Sequence, residues 1–132
     1  MKRKCLALLV GAMVFFGGTG ALMVSADTLK PTINGISFSA YSNISGSSAS
    51  AGTVSTSSDL QASVSSTYNY VNTNTLVAGT MQDSANKTAA ASLTFQAPAN
   101  CISVKIHSYH TASSGSETWS GTTEAISGKK SF

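Results

Sequence analysis

Residues 88 to 110 read TAAASLTFQAPANCISVKIHSYH, and the spacing of their apolar letters decides the fold class. Ala89, Ala91, Leu93, Phe95 and Ala97 fall on every second position, with Thr88, Ala90, Ser92, Thr94 and Gln96 between them. Successive side chains of a strand point to opposite faces, so this alternation predicts a strand with one buried face. PAN at 98–100 is a turn signal, because proline cannot donate to a sheet ladder. Alternation resumes with Ile102, Val104 and Ile106 expected inward and Ser103, Lys105 and His107 outward. Two alternating runs about a short turn predict either a hairpin or a crossover between two sheets.

The same period extends through the chain. GISFSAYSNI (35–44) turns Ile36, Phe38, Ala40 and Ile44 one way, and DLQASVSSTYNYVN (59–72) does so with Leu60, Ala62, Val64, Ser66, Tyr68 and Tyr70. NTNT (72–75) reads as a turn, LVAGTM (76–81) as a strand of poorer pattern and TWSGTTEAI (118–126) as the closing strand. A weak strand is expected within SASAGTVSTS (48–57), and SGSS (45–48) reads as a flexible loop. After residue 26 no window shows the i, i+3, i+4, i+7 spacing of an amphipathic helix. The expectation is an all-β domain over residues 27–132, a single antiparallel β-sandwich of about seven strands and immunoglobulin-like size. A small β-barrel is the alternative. Many inward positions are alanine or serine, so Phe38, Phe95 and Trp119 should dominate a light core.

The chain opens MKRKCLALLVGAMVFFGGTGALMVSAD. A basic start, an apolar run and the small residues Val24-Ser25-Ala26 are the layout of a secretory signal peptide, residues 1–26, with cleavage between Ala26 and Asp27. The rival is an uncleaved anchor, since residues 5–24 carry no charge. The expected mature protein is secreted and extracellular, with no stable membrane insertion, and a short basic signal on a disulfide-poor chain fits a bacterial source. The whole chain has formal charge +3, but from residue 27 onward five lysines face five acids and no arginine remains. That balance argues against a nucleic-acid partner. Cys101 is then the only cysteine, so no internal disulfide can form and packing must hold the domain. Ser and Thr make up 37 of these 106 residues, which suggests disorder or a glycosylated stalk until the strand period overrules both.

The chemistry-bearing letters are few. Cys101 and His107 lie six residues apart on one expected strand, roughly 20 Å, too far for a nucleophile–base dyad. HSYH (107–110) places His107 and His110 on opposite faces, so a shared metal would need a bulge and help from Glu117. Strand-end histidines facing solvent are the expectation. There is no Gly-x-Ser-x-Gly, and Asp59, Asp83 and Glu117 sit at expected turns. No catalytic residue, metal ligand or cofactor is assigned. Tyr68 and Tyr70 share a face with Leu60 and Val64 and are expected in the core. Tyr41, Tyr109 and His107 fall on polar faces and are the candidate exposed contacts. FSAYSN (38–43) resembles a stretch of the small secreted β-sheet bacteriocins of the lactococcin type, over six residues, and carries over no residue role. The expected function is a non-enzymatic extracellular binding module whose partner is a glycan or cell-surface component. A bacteriocin-like antimicrobial or toxin-like protein is the alternative.

Overall fold

The structure is a computed structural model that describes residues 24–127. Most of the expected signal segment, residues 1–23, lies outside the described residues. Among the described residues the chain forms ten strands and no helix. In order they are β1 (Val24–Leu29), β2 (Thr32–Ile33), β3 (Ile36–Ser37), β4 (Ser39–Ser45), β5 (Ser48–Val54), β6 (Gln61–Asn72), β7 (Ala78–Thr88), β8 (Ala90–Gln96), β9 (Cys101–Ser114) and β10 (Glu117–Ile126). Sheet I has the order β1-β4-β5-β8, sheet II has the order β10-β9-β6-β7, and β2 and β3 form a two-stranded ribbon. Every pairing is antiparallel. Both four-stranded sheets are open, each with two edge strands, so the closed-barrel alternative is wrong.

Local chemistry sets the corners. Ser45↔Ser48 and Ser114↔Glu117 close two-residue hairpins, with Gly46 at φ 59 and Gly115 at φ 64 taking the left-handed first position that such turns demand. SGSS is therefore a tight turn, and not the flexible loop its composition suggests. Asn34-Gly35 turns β2 into β3, and the single strand expected over 35–44 is divided at Phe38 into β3 and β4. The run expected over 88–97 is also broken. Ala89 adopts φ 71, where the chain leaves sheet II at β7 and enters sheet I at β8. Pro98–Asn100 carries the chain back from β8 to β9, so this segment is the crossover and not the hairpin.

Ala91, Leu93, Phe95 and Ala97 are buried as the alternation predicts. They meet Leu60, Ala62, Val64 and Tyr68 of sheet II in one cluster. Tyr68 stacks on Phe95 with ring centroids 5.2 Å apart, and Phe38 meets Trp119 edge-on at 5.1 Å. β9 departs from the sequence expectation. Asn69 pairs with Lys105 but Tyr70 pairs with Ser103, so Val104 is the extra residue of a β-bulge. The bulge inverts the face of everything before it. Cys101 and Ser103 are buried, while Ile102 and Val104, expected inward, are exposed.

Candidate functional site

Tyr41, Asn43 and Ser45 of β4 alternate with Ala40, Ser42 and Ile44, which point into the core. Ser50 lies opposite both Asn43 and Thr94, and Ser48 lies opposite both Ser45 and Gln96. Together these six polar residues floor an open trough on the outer face of sheet I, completed by Ala49 and Phe95, with a volume of about 410 Å³. None of the lining residues is charged. Hydroxyls and carboxamides each donate and accept, so such a floor matches a neutral ligand rich in hydroxyls or amides. Gln96 is held at the rim, its Nε2 donating to Ser47 O at 3.1 Å and Ser47 Oγ at 3.0 Å.

The three expected contact residues do not converge. Tyr41 shares the outer face of sheet I with the trough, two residues from Asn43. It is only partly exposed, because its ring lies over its cross-strand partner Gly52, where a Cβ would sit 2.8 Å from Tyr41 Cε1. Burial pushes its hydroxyl pKa up. Tyr109, 49 % exposed, and His107 lie on the outer face of sheet II, the far side of the molecule. His107 Nδ1 is 3.4 Å from Glu124 Oε2, which Lys105 Nζ also approaches at 3.7 Å. Tyr109 sits opposite Thr122 and Ser65, with no second aromatic across either strand to make a platform.

His110 overturns its expectation. It is wholly buried between the sheets, not at a solvent-facing strand end. Nδ1 is 2.9 Å from Thr53 Oγ1 and Nε2 is 2.7 Å from Thr123 Oγ1. Thr53 donates its hydrogen to Ser63 O at 2.7 Å. Neutral His110 therefore carries its hydrogen on Nδ1, and Nε2 accepts from Thr123. The chain continues from Thr123 to Ser42 at 2.6 Å, and Ser42 donates to Ser108 at 2.7 Å, which meets Ser66 at 2.8 Å. Ser42 has one hydrogen for two close hydroxyls, so its rotor is shared between them. Burial first, with the charge of His107 adding to it against Asp27, pushes the His110 pKa down to about 4. A Thr–His pair resembles a nucleophile and base, but Thr123 is 2 % exposed and His110 0 %, with no carboxylate on Nδ1. The arrangement is a polar piece of core.

Cys101 is a buried free thiol at the start of β9, turned inward by the bulge at Val104, and packs as a small hydrophobe. Among the described residues no three His, Cys, Asp or Glu side chains gather as a metal site. The buried hydroxyl chain escapes sequence reasoning, because Ser and Thr read alike on either face of a strand. The trough had one signal: Asn43, Ser45, Ser48 and Ser50 form an uninterrupted polar period across a two-residue turn. No family model, no curated protein and no solved structure matches this chain.

Proposed function

We propose that the chain is a secreted, non-enzymatic β-sandwich that binds a neutral polyol, a carbohydrate of a cell surface, in the trough on sheet I. The observation that carries this reading is the uncharged floor of Asn43, Ser45, Ser48, Ser50, Thr94 and Gln96. An ionic ligand would need counter-charges that this floor does not hold. A polyol exchanges its water hydrogen bonds for hydroxyl and amide partners at little desolvation cost. The volume falls in the range of small-ligand sites. Tyr41, fixed over Gly52 beside the trough, offers the nearest aromatic surface. Export through residues 1–26 belongs to the same reading and places the site outside the cell.

The test is a glycan array followed by calorimetry on the best hit, with the Thr94→Arg variant alongside. Thr94 is exposed, so the variant should keep the wild-type circular dichroism spectrum while its guanidinium fills the trough. Wild-type binding lost in folded Thr94→Arg supports the proposal. A folded wild type that binds no glycan, or binding that Thr94→Arg leaves intact, ends it.

A further inference from the structure

β7 is an edge of sheet II, 11 residues long and paired to β6 without a shift from Ala78 to Thr88. One step beyond each end of that ladder, Asn72 N donates to Val77 O at 2.9 Å and Ala89 N donates to Leu60 O at 2.7 Å. Both bonds use odd-numbered residues on the β7 side. In an antiparallel ladder every second residue turns its N–H and C=O to a given neighbour. The odd positions of β7 therefore bond β6, and Ala78, Thr80, Gln82, Ser84, Asn86 and Thr88 turn their main-chain groups to the open edge. The other edge of sheet II is closed differently. There Glu124 N of β10 donates to Asp27 Oδ2 of β1 at 3.0 Å, and the Trp119 ring lies over Gly121. Along β7, among the described residues, only Ser84 N finds an acceptor at the edge, Asp83 Oδ1 next door at 2.8 Å. β7 also lacks the proline or bulge that would blunt such an edge.

The occupant follows from the charges. Asp83 and Lys87 are the charged residues of β7, both exposed and both on odd positions, so they share one face. Among the described residues neither has an ion-pair partner. A row of unpaired main-chain groups is completed by another strand, and a second β7 carries the charges that match. In a two-fold pairing, residue i meets residue j and j meets i. Even positions face the edge, so even must meet even. A pairing about Asp83 sets two carboxylates opposite each other. One about Ser84 sets Asp83 opposite Ala85 and Lys87 opposite Met81, which matches no charge. One about Ala85 sets Asp83 opposite Lys87 twice, with Ser84 opposite Asn86 and Gln82 opposite Thr88. Asp83 and Lys87 then form a non-hydrogen-bonded pair, the kind whose side chains lie closer. Opposite charges stabilise there and like charges destabilise. Asp83 exchanges Ser84 N for the partner's Lys87, and Ser84 N is freed for the ladder. About eight main-chain hydrogen bonds form in this register.

We propose that two copies of the chain associate through β7, antiparallel about Ala85, so that their two four-stranded sheets join edge to edge. The test is sedimentation equilibrium of the full chain over a concentration series, in which the wild type should rise from monomer to dimer mass. Asp83→Lys or Lys87→Asp alone sets like charges opposite at both places and should raise the dissociation constant severalfold. The two together exchange the charges and should restore it. Both sites are exposed, so each variant should keep the wild-type circular dichroism spectrum. A second measurement is local to the axis. Opposed residues of a non-hydrogen-bonded pair lie within disulfide reach, so Ala85→Cys, with Cys5→Ala and Cys101→Ala, should give a disulfide-linked dimer on mild oxidation. Association through any other part of the chain cannot mimic that bond. A wild type that stays monomeric, a dimer indifferent to both single changes, or a double change no better than the singles would overturn the proposal. So would failure of position 85 to cross-link. Polymers in place of a dimer would show an edge without a two-fold partner and overturn it equally.

Discussion

The interior has two regions of opposite character. Around Tyr68, Phe95 and Ile106 the sheets meet through rings and aliphatic chains. One row away, Thr123, Ser108 and Ser66 lie side by side across sheet II, facing Ser42 of sheet I, with His110 and Thr53 completing the band. The first region is held by area removed from water, which is indifferent to direction. The second removes polar groups from water and recovers the loss only while each finds a partner. Volume changes should therefore disturb the first region in proportion, whereas the loss of one hydroxyl should disturb the second more than its size suggests.

The largest effect should come from a charge in the apolar region. Leu93→Asp puts an unpaired carboxylate at a 6 % exposed site and should leave the chain unfolded by circular dichroism. Thr94→Asp, on the opposite face, should fold. Next comes the polar band. Thr53→Val keeps shape but orphans the His110 Nδ1–H, and should cost about 1–3 kcal/mol in urea unfolding. A loss under half a kcal/mol would show that the band contributes no more than its area.

His110 also makes the band sensitive to acid. Its folded pKa of about 4 lies below the ordinary 6.5, so the unfolded chain binds the proton more readily. Stability from this group is complete above pH 6.5 and falls as the pH drops toward 4. Urea midpoints measured down that range should fall in the wild type and stay flatter in His110→Gln. Parallel slopes would mean another group titrates. Smaller still, Cys101→Ala should cost at most about 2 kcal/mol, and a thiol reagent should label the native protein slowly. The smallest change belongs outside. Ile102→Thr should shift stability by no more than about 0.5 kcal/mol, because the bulge at Val104 has already turned Ile102 to solvent.

These contrasts mark what the sequence makes legible. The alternation from Ala91 to Ala97 is read correctly because one face is apolar and the other is not. The inversion of Ile102 and Val104 is invisible in the same alphabet, since a bulge arises from pairing with β6 and leaves the letters of β9 unchanged. His110 is misread because a polar letter defaults to the surface, and only three-dimensional neighbours supply its hydroxyl partners. Tyr68 and Tyr70 are placed correctly in or against the core by their shared period with Val64, while Tyr41 is withdrawn from solvent by a glycine on another strand. Of the trough, only the polar period of its residues can be seen in one dimension.

The pairing of β6 with β9 has a kinetic side. Each of its hydrogen bonds joins residues separated by all of β7 and β8, and β1 is tied to β10 through Asp27 and Glu124 near the two ends of the described chain. Contacts so distant in sequence must wait for large loops to close, which places folding in the millisecond-to-second range of non-local β topologies. Sheet II lacks half its strands until β9 and β10 have been synthesised. The domain therefore cannot close while the ribosome still holds β9 and β10.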